Sequence, residues 1–139
     1  MLEISAKPEG AELTSIKKDG IEKLHDGKEF WNRQSPILFP IVGKLKDNKA
    51  IIDDKVCEMG QHGFARDMKF EIVKDGPNTK EYALISNEET LKKYPYQFKL
   101  IVKYQVKDNT LTVSYEVENK DNKNIFFGIG AHPAFKCDY

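Results

Sequence analysis

The chain has 139 residues, of which 40% are hydrophobic, 11% aromatic and 32% charged, and its 22 Lys+Arg balance 22 Asp+Glu. A net charge of zero argues against a nucleic-acid partner, which needs basic residues in excess on one face; here they are mixed with acids, as in "KLKDNKAIIDDK". No run approaches the roughly eighteen apolar residues of a membrane span, and the length is that of one domain or a piece of one.

In chain order, the opening "MLEISAKPEG" lacks the basic-then-apolar pattern of a secretory signal, so a cytoplasmic location is expected. A strand is predicted over Leu13–Lys17, followed by "KKDG" at 17–20. A second Asp-Gly stands in "HDGK" at 25–28; this dipeptide tolerates the positive φ angles of tight hairpins. His25 lies in that second turn and reads as a surface residue. Next comes "WNRQSPILFPIVGKL", Trp31 to Leu45, in which Pro36 and Pro40 interrupt what would otherwise be a buried strand. The result is an irregular apolar loop carrying Arg33 and Lys44, and from pattern alone it reads equally well as a cover over one end of a sheet.

A short strand is expected over Ala50–Asp53. Cys57 and Cys137 sit far apart and outside any CxxC spacing, so two reduced thiols are expected rather than a disulfide or a zinc site. In "MGQHGFARDMKF", Met59 to Phe70, His62 and Arg66 lie beside Gly60 and Gly63, and glycines there allow a ligand or another backbone to come close. The same residues also fit a glycine-rich turn with a solvated Arg66–Asp67 pair.

Strands are predicted over Phe70–Val73 and Tyr82–Ile85. Ser86 with Glu89 three residues later makes a capping box for one short helix, ended by Tyr94-Pro95. The strongest pattern follows. In "FKLIVKYQV", Phe98, Leu100, Val102, Tyr104 and Val106 share a face. In "LTVSYEV", Leu111, Val113, Tyr115 and Val117 do the same. Period two on both sides of Lys-Asp-Asn-Thr predicts an antiparallel hairpin with one wet face. A last strand is expected over Ile125–Ile129, just before "GIGAHPAF", Gly128 to Phe135, where His132 stands among small residues. A histidine in such surroundings is more often a core residue than a catalyst. The whole reads as an all-β chain, a β-sandwich or similar antiparallel assembly with at most one short helix, and without repeats or linkers.

Taken in order, "WNRQSPILFPIVGKL", "QHGFARD", "YPYQF" with its hairpin, and "GIGAHPAF" resemble the aldose 1-epimerase (galactose mutarotase) superfamily, in its LacX-like branch. That resemblance covers nearly the whole chain. It implies a β-supersandwich of about twice this length, so that residues 1–139 form the N-terminal part of one domain. It also implies an enzyme that interconverts the α and β anomers of a hexose without metal or organic cofactor. Ring opening needs an acid at the ring oxygen and a base at the anomeric hydroxyl, and histidine, with an unperturbed pKa of about 6.5, suits the acid.

Carried over to this sequence, the resemblance makes His132 the general acid and His62 a second histidine that binds the sugar. Lys44 takes the place of the family's usual arginine, and a lysine cannot make arginine's forked contact. Arg33 and Arg66 fall where hexose-6-phosphate epimerases direct arginines at phosphate. The expected partner is therefore a hexose or hexose phosphate, and both stay open at this point, as does a non-catalytic sugar-binding module. The family's general base is a glutamate of the C-terminal half. Glu116 and Glu118 do not match its motif; with Asp138 they are the fallback candidates should the chain prove active alone. A half-sandwich with open sheet edges is also expected to self-associate.

Overall fold

A computed structural model describes residues 1–137. Its first sheet contains β1 (Leu2–Ala6), β2 (Leu13–Lys18) and β3 (Ile21–Glu22) in that order, all antiparallel. Asp19 and Gly20 both take positive φ between β2 and β3, as the Asp-Gly pair requires for a tight right-twisting turn. The second Asp-Gly behaves differently. Gly27 is also left-handed, but the chain there does not fold back on its own strand. Instead Leu24 bridges Phe135, and the His25 N–H donates to the Ala134 carbonyl at 2.8 Å.

Between Pro36 and Pro40 the chain forms only a two-residue strand, β4 (Ile37–Leu38), all of it buried. A small hairpin follows, β5 (Lys49–Ile52) with β6 (Lys55–Glu58). Its turn residues, Asp53 and Asp54, are both left-handed without a glycine, so β6 carries no turn signal that its sequence would show.

The main sheet holds β7 (Glu71–Asp75), β8 (Thr79–Ile85), β9 (Phe98–Lys107) and β10 (Thr110–Asn119), arranged β10-β9-β8-β7. The predicted hairpin is present in full: β9 and β10 pair from Lys107↔Thr110 to Phe98↔Asn119 without a bulge. One helix, α1 (Glu88–Lys93), lies between β8 and β9. Its cap is Asn87 rather than Ser86. The Asn87 carboxamide accepts from the N–H groups of Glu89 and Thr90, and the Thr90 hydroxyl accepts from the Asn87 N–H. Ser86 instead accepts the Phe98 N–H. The strand expected over Ile125–Ile129 does not form, because within that run only the Gly128 N–H reaches a backbone acceptor, Pro40. A two-residue β11 (Gly130–Ala131) follows it and pairs with β4.

The two larger sheets share one core, in which Ile4 and Leu13 meet Tyr82, Leu84, Leu100, Val102 and Tyr104. The Tyr104 hydroxyl donates to the Ala11 carbonyl at 2.7 Å and so ties the main sheet to the β1–β2 connection. Coverage of the main sheet is uneven. On β9 the apolar face is buried, whereas on β10 Val113 is 38% exposed and Leu111, Tyr115 and Val117 are only half-buried. There an apolar groove of about 450 Å³ opens between Leu13, Ile16, Tyr104, Leu111, Tyr115 and Phe135. Among the described residues, β10 pairs along one edge only. No helix among them is long and apolar enough to cross a membrane.

Candidate active site

Segments 70 positions apart meet because residues 36–43 act as a spine between them. On one side, β11 pairs with β4 in the register Gly130↔Leu38 and Ala131↔Ile37. The His132 N–H extends this ladder by donating to the Pro36 carbonyl at 3.0 Å, and Gly128 donates to Pro40 at 2.7 Å. On the other side, Phe39 bridges Gly63 in parallel, and its carbonyl accepts the N–H groups of both Phe64 and Ala65. A proline offers a carbonyl and no N–H, so Pro36 and Pro40 serve here only as acceptors. The prolines that shorten the strand are thus the residues that dock the His132 segment.

His62 is fixed by a reciprocal pair of bonds to Gly43. Its own N–H donates to the Gly43 carbonyl at 2.7 Å, and the Gly43 N–H donates to ring Nδ1 at 2.9 Å. An Nδ1 that accepts is unprotonated, so in the neutral ring the proton sits on Nε2. Burial lowers the His62 pKa, and the nearby Arg66 and His132 lower it further. At neutral pH the ring is therefore an uncharged donor. The backbone of His62 is left-handed, a conformation histidine adopts more readily than most residues.

A cavity of about 170 Å³ opens between Trp31, Pro36, Leu38, Gln61, His62, Arg66 and His132. His62, His132 and Arg66 are thus brought together in one cavity. His132 is exposed at the rim, and its ring meets the Trp31 indole at 5.0 Å between centroids with planes 61° apart. Arg66 is held by a 2.7 Å bond from Nη2 to the Gln61 carbonyl, and burial and then Arg33 press its pKa down. Two expected binding residues do not reach this cavity. Lys44 is exposed and outside the lining. Arg33 is spent on Asp67, to which its Nη2 donates at 2.7 Å, while its Nη1 lies 3.5 Å from the Arg66 carbonyl.

Of the two glycines beside His62, Gly60 has open space around it and Gly63 is met by another stretch of backbone. A Cβ on Gly63 would lie 2.2 Å from the Phe39 carbonyl oxygen, so that glycine admits backbone and not ligand. Around Gly128 and Gly130 the space is taken by Val42 and Leu38. His25 is also not the bare surface residue expected. Only a quarter of its side chain is exposed, its Nε2–H donates to the Trp31 carbonyl at 2.9 Å, and its ring stacks on the indole.

Among the described residues no carboxylate lines the histidine cavity. Glu116 pairs with Lys103, and Glu118 with Lys99 and Lys120, all on β9 and β10 or just beyond. Asp138 lies outside the described residues. Nor do those residues contain a group of three or more His, Cys, Asp or Glu placed to hold a metal. Cys57 is buried and Cys137 exposed, and both are free thiols. Trp31 and Gln61 complete the lining without having been singled out in the sequence; the chain's single tryptophan, set beside polar residues in a proline-flanked loop, was the available signal.

Comparison with known proteins fits this geometry. Protein LacX, chromosomal, of Lactococcus lactis subsp. lactis is 39% identical over 144 residues, covering 98% of this chain and 48% of the relative. The crystal structure of a galactose mutarotase related enzyme from Lactobacillus acidophilus superposes with a TM-score of 0.96 at 36% identity, covering 100% of this chain and 47% of that one. A galactose mutarotase-like protein from Lactobacillus casei gives a TM-score of 0.91 at 39% identity, over 96% of this chain and 47% of its own. This chain therefore spans about half the length of the relatives it matches. The family model for aldose 1-epimerase matches residues 2–139, and the chain belongs to the aldose 1-epimerase family.

Proposed function

We propose that this polypeptide is the N-terminal, acid-bearing part of a cytoplasmic aldose 1-epimerase that exchanges the anomers of a hexose. The observation that carries the reading is the convergence of His62, His132 and Arg66 on one cavity in a chain of this family. In the proposed reaction His132 protonates the ring oxygen as the C1–O bond opens. His62, held neutral with its proton on Nε2, donates to a sugar oxygen and offsets charge that develops there. Arg66 contributes a fixed positive charge to the same wall. After rotation about C1–C2 the proton movements reverse. The base that takes the anomeric proton comes from outside the described residues.

A neutral hexose is favoured over a hexose 6-phosphate by one feature. Arg33 is paired with Asp67 and is not part of the cavity lining, which leaves Arg66 without a second arginine for a dianion. Polarimetry on freshly dissolved α-D-galactose and α-D-glucose, with glucose 6-phosphate in parallel, tests both statements. In a protein extended to the length of its relatives, His132→Ala should slow mutarotation by about 10²- to 10⁴-fold, the usual worth of one positioned acid or base. The 139-residue chain alone should bind sugar weakly and work no faster than free imidazole. A near-normal rate in the His132 variant removes the acid assignment. Rapid, saturable turnover by the chain alone would return Glu116, Glu118 and Asp138 to consideration as the base.

A further inference from the structure

The cavity lining combines polar donors with one indole and two aliphatic side chains. His62, His132, Arg66 and Gln61 supply hydrogen-bonding groups, whereas Trp31, Pro36 and Leu38 supply the apolar surface. Sugars have the matching division. Their hydroxyls radiate around the ring edge, and axial C–H groups collect into apolar patches on its faces. The electron-rich face of an indole attracts such polarised C–H groups and excludes water from them.

Loop tryptophans are commonly mobile, but this one is braced. His25, which is not in the cavity lining, stacks on the indole with centroids 6.4 Å apart and planes within 26°. The same imidazole donates from Nε2 to the Trp31 carbonyl at 2.9 Å, so ring and backbone are held by one side chain. His25 is itself anchored where the site is built. Its N–H donates to the Ala134 carbonyl, two residues beyond His132, and its carbonyl accepts the Gln34 side-chain N–H at 2.9 Å. His132 meets the indole in a tilted, edge-type contact, with centroids 5.0 Å apart and planes 61° apart. The three rings are thus in contact, His25 stacked on Trp31 and His132 tilted against it, and Trp31 and His132 both line the cavity.

We propose that Trp31 is the wall against which the C–H face of the pyranose packs, and that His25 is the positioning residue that holds this wall in place. This rests on the sugar-binding reading of the cavity given above. A pyranose seated on Trp31 presents its ring edge to His62 and His132, so the indole sets which ring edge meets the acid. A second function follows from the His132 contact: the indole limits the rotation of the imidazole that must deliver a proton.

Because Trp31 is the only tryptophan in the chain, its indole N–H and its fluorescence are unambiguous probes. The 139-residue chain is titrated with D-galactose and D-glucose at high concentration, and the Trp31 indole, His62 and His132 resonances are followed by NMR. The three should shift together with one midpoint. Trp31→Ala should then weaken sugar binding about tenfold, while Trp31→Phe should lose only part of that. His25→Ala should broaden the indole signal and weaken binding, and His25→Gln, which retains an N–H donor for the Trp31 carbonyl, should recover part of the loss. The β9–β10 amide pattern, far from the cavity, reports whether each variant is folded.

Sugar-induced shifts at the histidines with a still indole would overturn the Trp31 assignment and leave the sugar reading intact. Shifts at none of the three would overturn both. An unaltered indole signal and affinity in His25→Ala would remove the role given to His25.

Discussion

At the scale of single residues the site is governed by what surrounds one imidazole. His62 is held neutral chiefly by burial and secondly by the nearby Arg66 guanidinium. It should titrate below the ordinary histidine value in an NMR pH series, and Arg66→Gln should move it part of the way back. A histidine whose folded pKa is depressed binds fewer protons folded than unfolded, so stability falls as pH drops from the unfolded value towards the folded one. An unshifted or raised His62 midpoint would contradict the neutral-donor role. Gly63 sets a different kind of limit. It is left-handed, and a Cβ would meet the Phe39 oxygen at 2.2 Å, so Gly63→Ala combines backbone strain with a clash against a fixed carbonyl. A loss of about 3 kcal/mol or more is expected in urea unfolding. The Phe39 carbonyl also holds the N–H groups of Phe64 and Ala65, so the variant should displace His62 as well.

At the scale of elements, the Trp31 loop depends on a carboxylate from the first sheet. Glu12, just before β2, is 4% exposed and accepts the N–H groups of Gln34 at 2.7 Å and Ser35 at 3.1 Å, with the Lys7 ammonium 2.7 Å away. Burial pushes its carboxyl pKa up, but the Gln34 N–H, the Lys7 contact and the Ser35 N–H outweigh it, and the pKa is lowered from 4.5. Glu12→Ala should cost about 2–4 kcal/mol, because it strands two buried N–H groups. The contribution of a carboxylate with a depressed pKa is full above its unfolded value and is lost as pH falls through the folded one. The stability gap between wild type and Glu12→Gln should accordingly close in acid below about pH 4.5, and a gap that widened there would refute the assignment. What was legible in the sequence at this scale was local. The β9–β10 hairpin follows from period-two alternation that needs no distant partner. The helix cap lay one residue off because Ser86 and Asn87 can both cap, and the choice was made by the Phe98 N–H, a contact across the sheet. His62, Arg66 and His132 come from motif resemblance, whereas His25 reads as a surface residue in the sequence because its partners lie six residues and more than a hundred residues away. Lys44 and Arg33 were read from motif position, and neither motif nor spacing shows that Asp67 captures the Arg33 guanidinium.

At the scale of the molecule, the chain is held together on one face of its main sheet and open on part of it. The groove between β2, β9, β10 and Phe135 joins the half-exposed Val113 to a strand edge that pairs on one side only among the described residues. Phe126 and Phe127, 73% and 44% exposed, add to the apolar surface. Such surface should make the 139-residue chain self-associate, and sedimentation velocity should show mass rising with concentration. Replacing Val113 and Leu111 by Thr and Lys should reduce that mass without disturbing the cavity, and a chain monomeric at all concentrations would contradict the expectation. The open groove also has a kinetic consequence. Closing the β9–β10 hairpin is a first-order event, whereas collision of two uncovered faces is second order, so the outcome of refolding depends on dilution. Recovery after denaturation should rise steeply as the chain is diluted, and the rate at which native signal returns should stay the same.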